Sequence, residues 1–387
     1  MASNTSKRWR ARWLAVHLYL GLSVGMVMSV VGLTGSVMAF WQTFDTWLNP
    51  RLLNAMPLTF SQTGPTAADW VAAAERALPE NAKLKAIYFP CWQRDRLVLT
   101  ARYQLADASE YELYVNPNTG GVSGSRLLLD PSAVWRAPAM ELIVQIHQSL
   151  LLGSFGEHLV AVSALLAMVS IATGVWLWWP KPGKWRWALT LKAHAGPQRR
   201  IYDFHKLNGV YAGLFIAVML ISGVAMYEPE GLWIKAAAGA LSTLHRPPDN
   251  LHSVASPGAK PISVTNAVAV ADELAPGGQF NWLHAPLQPD GVIEIVKVRS
   301  TNGTGNQVKL MLDQYTGKEL WRFDYNAASA GDTFLTWLYP LHAGYGLGLP
   351  GRIFVSLIGL TCPTLLATGM IRWFHKRRAA IRKSLRT

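Results

Sequence analysis

The feature that most constrains this chain is an internal repeat built from long apolar segments. Aligning residues 13–40 with residues 201–227 places His17 over His205 without a gap. Three glycines of each segment then coincide, with Gly21, Gly25 and Gly35 matching Gly209, Gly213 and Gly223. The sequence therefore predicts one structural unit that occurs twice.

A second pair of segments repeats in the same way. His147 matches His342, and both runs end in the tripeptide Ala-Thr-Gly. The glycines that coincide are Gly153, Gly156 and Gly174 with Gly348, Gly351 and Gly369. Each copy of the unit thus contributes two histidines that lie in or beside apolar segments.

The apolar segments are long enough to cross a bilayer. Half of the residues are hydrophobic and only 15% are charged, and a spanning helix needs about 20 apolar residues. We expect four transmembrane helices, TM1 to TM4, at about 13–40, 159–179, 204–227 and 353–373. The predicted segments, in chain order, are a cytoplasmic N-terminus (1–12), TM1 (13–40), an external domain (41–138), a leading helix with TM2 (139–179), a basic loop (180–202), TM3 (203–227), a second external domain (228–332), a leading segment with TM4 (333–374) and a basic tail (375–387).

The basic residues predict the orientation of these helices. The N-terminus, the loop 180–202 and the tail from Arg372 hold 17 of the 36 Lys and Arg residues. Because cytoplasmic segments are enriched in Lys and Arg, we place both termini and the loop in the cytoplasm. The formal charge of +13 then reflects membrane topology and lipid contact, and it does not indicate a nucleic-acid partner.

The two external segments follow one plan. Ala67–Leu78 and Val264–Leu274 have helical periodicity, and each is followed by three short alternating runs. These runs predict antiparallel strands at 85–89, 96–104 and 110–115 in the first segment and at 279–284, 292–299 and 307–312 in the second. Turns with the pattern Asn/Asp-x-x-Thr-Gly end at Gly120 and Gly317. The predicted fold is therefore a membrane α-helical bundle of four helices in two internal repeats, with two small external α+β domains.

These turns, placed between spans that carry His-x3-Gly-x3-Gly, resemble the PepSY module and the PepSY-associated transmembrane-helix family. The resemblance covers nearly the whole chain. It implies a four-span cytochrome of the kind found among the inner-membrane dihaem siderophore reductases of Gram-negative bacteria. It therefore implies two haem b groups, a ferric siderophore as substrate, PepSY-like domains in the periplasm and a multi-pass protein of the bacterial inner membrane.

The residues themselves point to haem ligation. A histidine in hydrocarbon must find a partner, so such residues are rare and usually functional. In a tandem repeat, symmetry-related residues near the axis face each other, so His17 with His205 and His147 with His342 could each hold one iron as axial ligands. The alternative for any single histidine is a hydrogen bond to a backbone carbonyl or a position at the interface.

The glycines on the histidine faces allow two interpretations. Gly21, Gly25, Gly209 and Gly213 follow their histidines by four and eight residues, and small residues there could admit a flat macrocycle. Ordinary close packing of helices at small residues is the alternative. Arg352 is a candidate partner for a haem propionate or an anchor to lipid headgroups.

His17 and His205 lie near the predicted cytoplasmic ends of their spans and form the inner pair, whereas His147 and His342 lie at the external side, just before their spans, and form the outer pair. One further histidine competes for the outer position. His158 follows His147 by 11 residues, close to three helical turns, and could replace it as a ligand.

The expected function is electron transfer across the membrane to reduce a ferric siderophore and release Fe2+. The haem supplies the redox chemistry, so no separate catalytic side chain is expected. No nucleotide-binding fingerprint is present, so the electron donor would be a quinol or a cytoplasmic reductase. The alternative is a haem-free siderophore permease or a membrane scaffold. The two cysteines, Cys91 and Cys362, cannot form the Cys-x-x-Cys-His motif of covalently attached haem.

Overall fold

The computed structural model describes residues 4–55, 64–90, 96–192, 194–227, 229, 231–255, 258–299 and 307–385. The chain divides into two compact units. The helical unit comprises residues 1–39, 143–235 and 338–387, and the sheet unit comprises residues 40–142 and 236–337.

The helices of the described residues follow each other in this order: α1 (Asn4–Met38), α2 (Trp41–Leu48), α3 (Pro50–Leu53), α4 (Ala67–Ala77), α5 (Ala139–Ser149), α6 (Gly153–Trp178), α7 (Trp185–Ala188), α8 (Pro197–Ala225), α9 (Leu232–Leu241), α10 (Val264–Leu274), α11 (Ala330–His342) and α12 (Gly348–Ser384). The strands are β1 (Lys83–Tyr88), β2 (Leu99–Gln104), β3 (Glu110–Val115), β4 (Val122–Leu129), β5 (Gln279–His284), β6 (Val292–Val298), β7 (Gln307–Asp313) and β8 (Glu319–Asp324).

Four segments of the described chain are long and apolar enough to cross a membrane: Lys7–Met38, Gly153–Trp178, Pro197–Ala225 and Tyr345–Arg382. The four predicted spans are therefore confirmed as apolar helices. Their helices are longer than the sequence alone indicated, because the basic residues that flank α1 and α12 continue the same helices.

The long helices form a bundle in which α1 and α8 each pack against both α6 and α12. The closest approach is between α1 and α12, where an ideal Cβ on Gly32 would lie 2.5 Å from the carbonyl oxygen of Gly359. One turn away, Ser36 Oγ donates to the Ser356 carbonyl at 2.8 Å, and Ser356 Oγ donates to the Ser36 carbonyl at 3.0 Å. Small residues and reciprocal hydroxyl bonds thus hold these two helices together.

The eight strands form one antiparallel sheet in the order β4-β3-β2-β1-β5-β6-β7-β8. β1 and β5 are neighbours at the centre of the sheet. On each side of them, strands that come later in that half of the chain lie nearer to the edge of the sheet. At the centre β1 pairs with β5, with Ile87 opposite Leu283, Tyr88 opposite Trp282 and Ala86 opposite His284. The two predicted α+β units are therefore joined through this central pairing into a single sheet within one compact unit.

Helices α4 and α10 cover one face of this sheet and pack against each other. A capping box between Thr66 and Asp69 starts α4, and Ser263 caps α10. Glu75 of α4 accepts hydrogen bonds from the backbone N–H groups of Val264 and Thr265 at 2.7 and 3.2 Å. A carboxylate of one helix thus satisfies the first turn of the other.

The other face of the sheet is covered near β3 and β4 by the segment α2–α3, which lies within the predicted external domain 41–138. Leu53 and Tyr114 share a small buried cluster there. Arg126 of β4 binds Asp45 of α2 at 2.8 and 2.7 Å and also binds Glu112 at 3.2 Å. Although burial disfavours the charge, Arg102 and Arg126 lower the pKa of Glu112.

Candidate functional site

The first two predicted histidines meet inside the helical unit. His17 of α1 lies against α6, with its Nδ1 3.0 Å from the Ser170 carbonyl oxygen and 3.2 Å from Thr173 Oγ1. An ideal Cβ on Gly174 would lie 2.9 Å from Cε1 of His17. Glycine at this position therefore makes room for the imidazole ring on the surface of α6.

His205 of α8 makes the equivalent contacts with α12. Its Nδ1 lies 3.1 Å from the Leu365 carbonyl oxygen and 2.9 Å from Thr368 Oγ1, and its ring packs against Gly369. The ring centroids of His17 and His205 are 6.4 Å apart, and their planes are 79° apart. The structure thus brings the predicted inner pair together.

The outer pair is assembled in the same way. His147, near the end of α5, lies against α1, with Nδ1 2.9 Å from the Val31 carbonyl oxygen and 3.2 Å from Thr34 Oγ1. His342, the last residue of α11, lies against α8 with Nδ1 2.9 Å from Ser222 Oγ. The two ring centroids are 6.2 Å apart with planes at 69°.

Hydrogen bonding assigns the proton of these rings to Nδ1. A carbonyl oxygen only accepts, so Nδ1 of His17, His147 and His205 must donate to it. Ser222 Oγ donates to a carbonyl of its own helix, at 2.8 Å from Val218, and its oxygen is left to accept from His342. In each neutral ring Nε2 then carries the lone pair, which is the arrangement found in metal-bound histidines.

The spacing of the rings fits two imidazoles on opposite sides of one metal ion. The midpoints of the pairs lie 3.2 and 3.1 Å from each centroid, half of 6.4 and 6.2 Å. If the two Nε2 atoms point to this midpoint, a metal ion there would lie near the usual metal–imidazole distance of about 2.0–2.1 Å. The centroid separation of each pair, 6.4 and 6.2 Å, is one at which a single metal ion could lie between the two rings.

The donor set fits haem and not a bare ion. No group of three or more His, Cys, Asp or Glu side chains that could hold a metal ion occurs in the described ranges. Two imidazoles alone provide fewer donors than the four that zinc takes in proteins. Haem iron already has the macrocycle nitrogens and needs only axial ligands.

The four glycines on the histidine faces differ in their surroundings. An ideal Cβ on Gly21 would meet nothing within 4 Å. At Gly25, Gly209 and Gly213 the nearest atoms to such a Cβ are side-chain carbons at 3.6, 3.7 and 3.7 Å. Gly25, Gly209 and Gly213 are therefore in ordinary van der Waals contact with a neighbouring helix, and open space lies next to Gly21.

The two remaining candidates lie elsewhere in the helical unit. His158, in the first turns of α6, packs edge to face on Tyr227 with centroids 5.6 Å apart, and Tyr227 donates to Glu157 at 3.0 Å. Arg352 lies in the first turn of α12, with its guanidinium 5.6 Å from the ring centroid of Tyr345. The ring that faces His342 is that of His147.

Sequence reasoning missed the hydroxyl groups that hold the rings. Each long helix carries a hydroxyl residue followed by glycine, and a histidine from another helix docks on each of these pairs: Thr34-Gly35, Thr173-Gly174, Ser222-Gly223 and Thr368-Gly369. The signal was present in the sequence, because all four pairs coincide between the repeats.

The four candidate spans, the antiparallel sheet and the paired histidines define a multi-pass helical membrane protein with a separate sheet unit. Residues 14–376 match the family model of the PepSY-associated TM region, and the chain belongs to that family. This match confirms the family resemblance drawn from the sequence. No curated protein matches the chain.

Proposed function

We propose that this protein is a dihaem b oxidoreductase that passes electrons across the bacterial inner membrane and reduces a ferric siderophore in the periplasm. The observation that carries the proposal is the separation of the ring centroids, 6.4 Å for His17 with His205 and 6.2 Å for His147 with His342. When bound, the two haems supply one-electron transfer between a donor and the ferric chelate.

The side chains of the bundle prepare the two ligand pairs. The backbone carbonyls and hydroxyls of the helices fix the orientation of each imidazole through Nδ1 and raise the basicity of Nε2. The glycines that follow the hydroxyls allow the rings to approach the helix backbones. Gly21 leaves open space that the macrocycle could occupy, Gly25, Gly209 and Gly213 are the further candidates to line it, and Arg352 is the candidate partner of a propionate.

The proposal also specifies how the protein is oriented in the membrane and that its two halves arose by duplication. The basic N-terminus, the loop 180–202 and the basic tail lie in the cytoplasm, so His17 and His205 form the cytoplasmic pair. The two halves are a duplicated unit, and the sheet unit is a pair of PepSY-like domains in the periplasm. The electron donor is a quinol in the bilayer or a cytoplasmic reductase.

Reduction of the metal explains release of iron. Siderophore oxygens are hard donors that suit Fe3+, and they hold the softer Fe2+ less tightly. Transfer of one electron to the chelate therefore weakens the complex, and Fe2+ leaves as the product.

Haem content and activity test the proposal together. The purified protein should give close to two haems per chain in a pyridine haemochrome assay, with Soret and α bands that sharpen on dithionite reduction. His342→Ala should lose one haem and the reduction of a ferric siderophore even when the remaining haem is reduced chemically. His158→Ala is the matched control and should keep both haems. Full activity of His342→Ala with both haems present would contradict the ligand assignment and the electron path.

A further inference from the structure

The face of the sheet opposite α4 and α10 is covered at its two ends and is partly exposed at its centre. At one end Tyr114 of β3 is covered by Leu53 of α3. At the other end the ring of His245 stacks on Phe323 of β8 with centroids 5.2 Å apart. Between these covers lie β1, β5 and β6, and His284 of β5 is exposed there.

Aromatic rings occupy this centre on both sides of the β1–β5 pairing. Trp282 and His284 stack with centroids 4.4 Å apart and planes 30° apart. Tyr88 of β1, which lies opposite Trp282 in the register, meets His284 edge to face at 6.2 Å. All three rings are at least partly exposed. They form a shelf of the kind on which a flat aromatic group can stack.

Cationic side chains flank these rings. The guanidinium groups of Arg96 and Arg102 lie 4.9 and 5.5 Å from the centroid of Tyr88. The ammonium group of Lys309 lies 5.9 Å from the centroid of Trp282. We call Tyr88, Arg96, Arg102, Trp282, His284 and Lys309 the central platform.

The carboxylates beside the platform are engaged by its own cations. Glu112 binds Arg102 at 3.0 Å and also accepts from Arg126 and from Tyr114. Glu294, which lies opposite His284 on β6, pairs with Lys309. Arg102 and Lys309 are therefore each paired with a carboxylate, and the buried Glu141 also acts electrostatically on Arg102.

We propose that the central platform binds the ferric chelate and that it selects a catecholate complex, which is aromatic and anionic. The inference rests on the proposed function and names the substrate class. A catechol ring can stack on Trp282 and His284 while its phenolate oxygens lie near the arginine and lysine side chains. A tris-hydroxamate complex of Fe3+ has no net charge and no aromatic ring, so it gains neither contact.

Gallium(III) complexes separate binding from reduction, because Ga3+ has the charge and size of Fe3+ but takes no electron. Calorimetry on the detergent-purified full chain should detect binding of a gallium tris-catecholate complex. A gallium tris-hydroxamate complex should bind at least tenfold more weakly. Equal affinity for the two complexes would overturn the selectivity.

Two variants test the location of the site. Trp282→Leu should weaken catecholate binding about tenfold or more, which corresponds to about 1.4 kcal/mol. Lys309→Met should weaken it as well, and it covers the case in which Trp282→Leu does not fold. The matched control is Trp135→Leu, because Trp135 is 75% exposed and lies outside the strands. Unchanged catecholate binding by folded Trp282→Leu and Lys309→Met would overturn the proposal.

This measurement does not depend on haem. Platform variants that retain two haems but fail to bind the gallium complex support the platform. A protein that binds no haem but binds the gallium complex through Trp282 would refute the proposed oxidoreductase function and leave the binding surface intact.

Discussion

Gly174 of α6 and the ring of His17 on α1 are in direct contact, and an ideal Cβ on Gly174 would lie only 2.9 Å from Cε1 of the imidazole. The same distance separates such a Cβ on Gly35 from Cε1 of His147. Separations under 3.0 Å force one group to move. The close packing of His17 and His147 on the neighbouring helices therefore depends on the absence of a side chain at Gly174 and Gly35.

We expect Gly174→Ala to displace His17 and to lower the occupancy of the inner haem, because the added methyl group occupies the position of the ring. Gly35→Ala should affect the outer haem in the same way. Losses of about 10-fold in haem affinity are typical when ligand orientation is disturbed. Haem titration of the apoprotein measures this effect. Gly196→Ala is the control, since a Cβ there meets nothing within 4 Å; equal affinity in all three variants would contradict the role of the contacts.

His17→Ala and His205→Ala should remove the same haem, because their rings face each other at 6.4 Å. His147→Ala should remove the other. The ring planes of the pairs are 79° and 69° apart, and imidazoles that held a haem iron at such angles would leave its dπ orbitals nearly degenerate. We therefore expect highly anisotropic low-spin EPR signals, one of which disappears in each variant. Loss of different signals in His17→Ala and His205→Ala would show that these residues do not share an iron.

Gly21→Leu distinguishes a cofactor cradle from a helix-packing glycine. The polypeptide has room for the new side chain, because nothing lies within 4 Å of a Cβ on Gly21. We therefore expect the apoprotein to keep its thermal stability while haem binding at the inner pair falls severalfold. Ser23→Leu adds a side chain at an exposed position on the same helix and should bind haem normally. Normal haem content in Gly21→Leu would exclude the macrocycle from this space.

The sheet unit contains a carboxylate whose protonation should reduce stability in acid. Burial by itself would raise the pKa of Asp332, but hydrogen bonds from the His245 ring and from the backbone N–H groups of His245 and Ser329 lower it from 3.8 to about 2. A depressed pKa stabilises the folded state above pH 4, and this contribution is lost as the pH falls towards 2.

Thermal unfolding of Asp332→Asn measures that contribution. The variant should unfold at a lower temperature than the wild type at pH 7, and the difference should shrink as the pH falls from 4 to 2. Asp249→Asn is the control, because Asp249 is exposed and should show little difference at either pH. A gap between Asp332→Asn and wild type that stays constant with pH would refute the linkage.

Most of the helical unit could be predicted from the sequence, because both spans and histidines repeat at fixed offsets. The assumption of two-fold symmetry predicted that the rings of His147 and His342 face each other, and they do so in the structure. The outer strands β4 and β8 were not predicted. Their sequences, VSGSRLLL and ELWRFD, are rich in polar residues, as is usual for strands at the edges of a sheet, so alternation is weak.

The central pairing of β1 with β5 could not be predicted either. It joins Ile87 to Leu283, which are almost 200 residues apart, and no local pattern specifies such a contact. The hydroxyl–glycine pairs were readable in principle. Hydroxyl residues are common in membrane helices, so the sequence alone does not single out these four pairs. Their role becomes visible only when the structure shows which histidine contacts each pair.

The central pairing also determines how the halves of this protein would behave if they were separated. Each half of the sheet presents the same kind of strand at its inner edge, and in the full chain β1 and β5 cover each other. A truncated protein that ended before β5 would leave unpaired the backbone N–H and C=O groups of β1 that bond to β5, while β1 would still pair with β2. Such an edge recruits other strands, so the fragment would associate through β1 with a second copy of itself. Fusion of the halves in one chain thus protects the protein from aggregation.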